Sequence, residues 1–253
     1  MQNKHSEIGK GRIYILKGIF YMEFDEFVKK ISDYLDEIQI KLNDKQLMQF
    51  YKYMNLLIEW NKKINLTSII EPEEIIIKHF VDSVIISKYI EKGLKVIDVG
   101  TGAGFPGIPL KIVRDDIEIV LLDSLNKRVN FLNEVIKDIK LEKIQTIHAR
   151  VEEFAENKKY RENFDAVISR AVANMSTLSE YMLPLTKVGG KMLSMKGPDF
   201  EKEIENSKKA ISILGGEIEK IDEYQLPKTE MKRSIIIVGK VKNTPQKYPR
   251  KPG

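Results

Sequence analysis

The N-terminal third of the chain carries apolar side chains at helical spacing. Two amphipathic patterns run from Phe24 to Ile38 and from Leu47 to Ile58, with the three- and four-residue intervals that one face of an α-helix requires. A further helical stretch is predicted from Glu73 to Tyr89. We therefore predict that residues 22–92 form a helical cap.

The pattern changes after residue 92, where short runs rich in valine and isoleucine alternate with helical stretches. Such runs are typical of strands that are buried on both faces. The predicted strands of this kind are 94–100, 117–123, 144–149, 164–170 and 191–197, and two further β-like runs follow at 215–226 and 232–241. The predicted helices are 107–113, 126–139, 174–184 and 199–214. This alternation predicts an α/β fold with a parallel, doubly wound sheet. The last two strands are joined without a helix, which predicts a final antiparallel pairing.

Composition excludes several classes of protein. The 253 residues include no cysteine and three histidines, which excludes a disulfide scaffold, a cysteine-ligated metal and a cysteine nucleophile. His79, Asp82 and His148 do not have the spacing of a metal site, and we predict no metal. No run reaches the approximately 18 apolar residues that span a bilayer. We therefore expect a cytoplasmic protein with no membrane contact.

The charge is uneven along the chain. The formal net charge is +5, but eight basic residues face one acidic residue from Lys228 onward. This basic end, which includes a tail at 242–253, is either a solvated tail or an edge that contacts phosphates. Residues 1–21 are basic and lack a cleavage signal, so we expect a poorly ordered extension. Met22 is a plausible alternative start.

A glycine-rich loop follows the first predicted strand. Gly100, Gly102 and Gly104 let the backbone turn sharply and approach a ligand, and the last two begin a G-x-G-x-x-G string, which alone is a weak signal. Asp98 at the strand end would repel a pyrophosphate, but it suits the amino-bearing end of S-adenosylmethionine. Asp123 ends the second strand, where a carboxylate can accept from ribose hydroxyls. An adenosyl cofactor is favoured over a structural turn.

Polar residues also follow the third and fourth predicted strands. Val151 is placed to offer its backbone N–H to an adenine ring nitrogen, and Glu152 to accept from the exocyclic amine. Arg170 ends the fourth strand, at the edge where open α/β sheets bind ligands. Either Arg170 faces the ligand or it forms a salt bridge with Glu152 or Asp165.

Seven motifs in order resemble one family, the glucose-inhibited division protein B (RsmG) family. They are WNKKINLT (60–67), HFVDS (79–83), DVGTGAGFPGIPL (98–110), LLDSLNKRVNFL (121–132), RVEEF (150–154), SRAVA (169–173) and YPRKPG (248–253). The resemblance implies a class I S-adenosylmethionine-dependent methyltransferase, with a Rossmann-like, seven-stranded, mostly parallel sheet at 93–241. It also implies methylation of guanine N7 in small-subunit (16S) ribosomal RNA. The cofactor contacts carried over are Gly100, Phe105, Val151, Glu152 and Arg170.

Direct methyl transfer suits this chemistry, since neutral guanine has a lone pair at N7 and no proton must be removed first. Arg170 is expected to orient guanine through O6. The expected RNA contacts, each alternatively a solvated charge, are Lys127, Arg128, Lys196, Arg250 and Lys251. The expected partner is small-subunit RNA, a 30S particle or an assembly intermediate, bound by a monomer. An NAD-dependent oxidoreductase and a non-catalytic RNA-binding module remain as alternatives.

Overall fold

The computed structural model describes residues 13–16 and 19–251. The strands are β1 (Ile13–Leu16), β2 (Ile19–Met22), β3 (Lys95–Val99), β4 (Glu118–Asp123), β5 (Ile144–His148), β6 (Phe164–Arg170), β7 (Thr186–Lys196), β8 (Gly216–Gln225) and β9 (Lys232–Lys240). The helices are α1 (Phe24–Asp36), α2 (Asp44–Ile64), α3 (Pro72–Ile75), α4 (Asp82–Val84), α5 (Gly107–Val113), α6 (Asn126–Asp138), α7 (Val151–Glu156), α8 (Met175–Met182) and α9 (Glu201–Ile213). A π-helical segment (Ile76–Val81) joins α3 to α4, and a 3-10 segment (Ile85–Tyr89) follows α4.

Seven strands form the main sheet, in the order β5-β4-β3-β6-β7-β9-β8. The five strands from β3 to β7 run parallel, and β9 is antiparallel to both β7 and β8. This confirms the predicted seven-stranded, mostly parallel α/β sheet of a class I methyltransferase. Because β3 pairs with β4 on one side and β6 on the other, the strand order reverses there. A crevice forms outside the carboxyl ends of strands at such a reversal.

The helical cap packs against one face of the sheet through aromatic side chains. Tyr53 of α2 is fully buried, and its ring lies among those of Phe80, Phe105 and Phe131 at centroid distances of 5.4, 5.5 and 6.4 Å. The Tyr53 hydroxyl donates to the carbonyl of Ala103 in the glycine loop. The cap therefore supports this loop from beneath.

The two ends of the chain add structure that the hydrophobic pattern did not predict. The strands β1 and β2 pair as an antiparallel hairpin within the extension expected to be poorly ordered, while residues 1–12 and 17–18 of that extension lie outside the described residues. At the other end, Arg161 donates to the carbonyls of Thr244 and Tyr248 at 3.0 and 2.8 Å. The tail as far as Tyr248 therefore packs against the sheet domain. No described helix is both long enough and apolar enough to span a membrane.

Candidate functional site

The glycine loop after β3 has two positions where the backbone conformation decides the shape of the site. Gly100 and Gly102 have φ angles of 68° and 61°, which side chains other than glycine rarely adopt. A Cβ on Gly100 would lie 2.7 Å from Cγ2 of Val172, whereas a Cβ on Gly102 would have no atom within 4 Å. Gly100 thus permits close contact with Val172, and Gly102 borders open space.

Asp98 lies beneath this loop rather than in open space beside it. Its Oδ2 accepts hydrogen bonds from the Thr101 hydroxyl at 2.6 Å and from the Gly107 N–H at 2.9 Å. Its Oδ1 is buried and has no hydrogen-bond partner among the described residues. Burial raises the pKa of Asp98 to about 7, although both hydrogen bonds act to lower it. Asp98 therefore fixes the shape of the loop through Oδ2.

Asp123 connects the end of β4 to the same loop. Its Oδ2 accepts from the Gly102 N–H and its Oδ1 from the Leu125 N–H, both at 2.9 Å. Arg128 lies 3.5 Å from Oδ2. A carboxylate oxygen has more than one lone pair, so Asp123 retains acceptor capacity toward the cavity that it borders.

A cavity of about 250 Å³ lies at the carboxyl ends of β3, β4 and β5. The lining residues are Val99, Gly100, Leu122, Asp123, Ser124, Ala149, Arg150, Val151, Glu152, Val172 and Tyr181. Four residues predicted to bind the cofactor are therefore together here, namely Gly100, Asp123, Val151 and Glu152. The N–H groups in the first turn of a helix have no intrahelical partner, so Val151, the first residue of α7, has a free donor.

Seven of the eleven cavity-lining residues have no role predicted from the sequence, and three of them, Arg150, Val172 and Tyr181, extend side chains of some size along the cavity. Arg150 and Val172 lie within the family motifs, but nothing in their spacing indicated the cavity. Tyr181 belongs to the apolar pattern of α8 and therefore resembled a core residue. The carboxylate of Glu152 lies near Tyr181, and the pKa of this tyrosine is raised by burial and by that charge.

Arg170 points away from the cavity, toward the helical cap. Its Nη1 donates to Oδ2 of Asp82 at 3.0 Å and to the carbonyl of Lys78 at 3.1 Å. Its guanidinium lies over the ring of Phe105, 5.1 Å from the centroid. The salt-bridge partner is therefore Asp82, not Glu152 or Asp165. Gly104 and Phe105 lie on this side of the loop and do not border the cavity.

His79 is the fourth side chain in this arrangement, after Arg170, Asp82 and Phe105. Its ring stacks on Phe105 at a centroid distance of 4.3 Å, and its Nδ1 lies 3.1 Å from Nη2 of Arg170. Burial, together with the charge of Arg170, lowers the pKa of His79 to about 3. The neutral ring then accepts from Arg170 at Nδ1 and donates from Nε2 to the Thr67 hydroxyl at 2.9 Å.

The predicted RNA contacts fall into two groups. Lys127 and Lys251 are exposed, and Arg128 is partly exposed beside Asp123. Lys196 instead donates to the carbonyl of Ala173 and to Glu203, and Arg250 binds Glu180 with two guanidinium nitrogens. Lys196 and Arg250 are thus engaged within the protein, because acidic or carbonyl partners meet them on neighbouring elements. The Lys196 side chain is only 10% exposed, whereas that of Arg250 is 75% exposed, so the RNA contact of Arg250 stays a prediction.

The cavity has the groups that an adenosyl cofactor requires. Carboxylates of Asp123 and Glu152 can accept from hydroxyl and amino groups, Val151 has a free N–H, and Gly100 lines the cavity without a side chain. Gly102, also predicted to bind the cofactor, is not among the lining residues, but its N–H donates to Asp123, which is. No group of three metal-ligating side chains occurs within the described part of the chain.

Comparison with known proteins identifies one family. A family model described as rRNA small subunit methyltransferase G matches residues 46–235. The Ribosomal RNA small subunit methyltransferase G of Clostridium novyi (strain NT) is 53% identical over 220 residues, covering 86% of this chain and 90% of that protein. The protein of the same name from Clostridium botulinum (strain Loch Maree / Type A3) is 50% identical over 230 residues, covering 90% and 96%.

A solved structure supports the fold. The crystal structure of P. horikoshii TYW2 in complex with MeSAdo superimposes with a TM-score of 0.50 at 11% sequence identity. The match covers 90% of this chain and 70% of that one. Similarity at this identity is evidence for the fold alone.

Proposed function

This chain belongs to the rRNA small subunit methyltransferase G family, and we propose that it methylates N7 of a guanine in small-subunit (16S) ribosomal RNA. It is an S-adenosylmethionine-dependent rRNA methyltransferase. The choice of guanine N7 and the roles of individual residues are our proposal. The observation that carries it is the cavity at the ends of β3, β4 and β5, bordered by four of the predicted cofactor contacts. Neither alternative, the oxidoreductase or the non-catalytic module, has support from the relatives.

The residues around the cavity suit the two polar parts of the cofactor's adenosine. We assign the Asp123 carboxylate to accept hydrogen bonds from the ribose hydroxyls. At the adenine edge, we assign the Val151 N–H to donate to a ring nitrogen and the Glu152 carboxylate to accept from the exocyclic amine. Gly100 and Gly102 present backbone without a side chain, so the ligand can approach closely. When bound, S-adenosylmethionine supplies an electrophilic methyl group on a positively charged sulfur.

The protein's task toward guanine is positioning. The in-plane lone pair of N7 is available in the neutral base, so no general base is needed and alignment supplies much of the rate enhancement. Arg170 is the side chain that we assign to guanine. Its contacts with Lys78, Asp82 and His79 use three N–H bonds of the five on a guanidinium. The remaining two are available for O6, which arginine commonly recognises.

The RNA backbone requires cationic contacts around this site. Lys127 and Arg128 lie in the first turn of α6, beside the cavity, and we assign them, together with Lys251, to phosphates. We propose a 30S particle or an assembly intermediate as the substrate and the cytoplasm as the location, since ribosomal subunits are assembled there in bacteria. We propose that the protein acts as a monomer.

Chemical mapping of the RNA tests the proposal. Borohydride reduction followed by aniline cleaves RNA at N7-methylguanosine. Small-subunit RNA from cells that lack the protein is expected to lose one cleavage site, and purified protein with S-adenosylmethionine is expected to restore it. An unchanged cleavage pattern would contradict methylation at N7. Incorporation of labelled methyl groups without such cleavage would be consistent with a methyltransferase but would exclude guanine N7 as the methylated atom.

A further inference from the structure

The loop that follows β6 covers one side of the cofactor cavity. It runs from Ala171 to Asn174, between Arg170 and α8, and Val172 lies in it against Gly100. Ala171 has a φ of 56°, a left-handed conformation that is strained for a residue with a Cβ. Such strain persists only where surrounding contacts hold the backbone in place.

Two charged side chains from other elements supply these contacts. Nζ of Lys196, at the end of β7, donates to the carbonyl of Ala173 at 2.6 Å and to Oε2 of Glu203 at 2.7 Å. The same Oε2 accepts from the backbone N–H of Met175 at 3.0 Å. Lys196 and Glu203 therefore form hydrogen bonds with the backbone on both sides of Asn174, where the loop ends and α8 begins.

We propose that Lys196 and Glu203 are positioning residues that hold Val172 against the glycine loop and thereby close the cofactor cavity. This inference rests on the proposed cofactor site. The Lys196 side chain is only 10% exposed, so its ammonium belongs to the protein's own packing. Charge-assisted hydrogen bonds to backbone groups are stronger than neutral ones, which suits a contact that fixes a strained loop.

The first test measures cofactor binding without catalysis. Lys196→Met keeps the side-chain length but removes the ammonium, and we expect it to weaken binding of S-adenosylhomocysteine in calorimetry by about tenfold, the effect of losing a charged hydrogen bond. Lys208→Met is the matched control, because Lys208 forms an exposed pair with Glu205 on α9 and should leave the affinity unchanged. If the wild-type protein does not bind S-adenosylhomocysteine, the cofactor site itself is wrong.

A double-mutant cycle separates positioning from general stability. Val172→Ala should also weaken S-adenosylhomocysteine binding, and combining it with Lys196→Met should add little, because both changes release the same contact. Additive losses, or an unchanged affinity in Lys196→Met, would overturn the proposal. Thermal unfolding of each variant identifies any loss that comes from unfolding.

If Lys196 instead contacts RNA phosphates, as the sequence predicts, Lys196→Met should give the opposite result for cofactor binding and RNA binding. In that case, Lys196→Met would lower RNA affinity and its salt dependence while S-adenosylhomocysteine binding stayed at the wild-type level. In the proposed arrangement, hydrogen exchange at residues 171–175 of the ligand-free variant is expected to rise, while RNA affinity measured without cofactor stays at the wild-type value.

Discussion

Arg170 and Asp82 form an ion pair of 3.0 Å that joins the end of β6 to the helical cap. Both side chains are largely buried, at 14% and 5% exposure. Asp82 also accepts a hydrogen bond from the hydroxyl of Tyr224 at 2.9 Å. The arginine assigned to guanine is therefore held by the cap rather than by the sheet that carries it.

Removing Asp82 is expected to destabilise the protein strongly. Asp82→Ala leaves the buried charge of Arg170 without its carboxylate, which typically costs about 3–5 kcal/mol of unfolding free energy. Urea denaturation measures this. Glu59→Ala breaks the exposed pair with Lys63 and should cost under about 1 kcal/mol. Equal effects of the two substitutions would show that the buried pair does not anchor the cap.

A carboxylate at Gly102 is expected to abolish cofactor binding while leaving the fold intact. Gly102→Asp places the new side chain in the open space beside Asp123, with only the modest cost of a positive φ. Gly189→Asp is a matched control, because Gly189 also has a positive φ and open space around its Cβ position but lies at the start of β7. Calorimetry with S-adenosylhomocysteine should show binding in the control alone. Binding by Gly102→Asp would refute a cofactor site beside this loop.

His79 is expected to make the protein sensitive to acid. Its pKa is lowered to about 3 by burial and by Arg170, so its stabilising effect is present above the unfolded pKa and is lost as the pH falls from about 6.5 toward 3. We expect the difference in unfolding free energy between the wild-type protein and His79→Gln to shrink on going from about pH 7 to about pH 4. A difference independent of pH would mean that His79 does not titrate in this window.

Titration of Asp98 should change stability with pH in the opposite direction from titration of His79. Because its pKa is raised to about 7 in the folded protein, the contribution of the protonated carboxyl to the free energy of unfolding is lost as the pH rises from about 4 through 7. Asp98→Asn removes this titration, so the stability of the variant relative to wild type should increase across that range. Denaturation curves at several pH values measure the trend, and a flat difference would contradict it.

RNA binding should depend on Lys127 more than on Arg250, which forms an ion pair with Glu180. Lys127→Ala is expected to weaken RNA binding and to reduce the slope of log affinity against log salt by about 1, since one phosphate contact is lost. Arg250→Ala should leave this slope unchanged, because the guanidinium binds Glu180 at 2.7–3.1 Å. A reduced slope for Arg250→Ala would instead place the tail on the RNA.

Local sequence determined the framework. Short runs with apolar residues predicted the seven strands of the sheet. Central strands such as β4 and β6 gave the clearest pattern, because both of their faces are buried and take mainly apolar residues. The prediction for β6 (Phe164–Arg170) has the observed ends. Short elements were missed, because α7 and the β1–β2 hairpin are too short for a periodic pattern to emerge.

The sequence by itself also determined the position of the glycine loop, which follows Asp98. A positive φ favours glycine at individual positions, so a cluster of glycines after a strand indicates such a loop. Only the tertiary structure decided which charges are paired within the protein. Lys196 and Arg250 are as basic as Lys127, yet Glu203 and Glu180 approach them from other elements. Such partners are fixed by packing between segments distant along the chain, and the strength of a charge interaction depends on distance and burial, which local patterns do not encode.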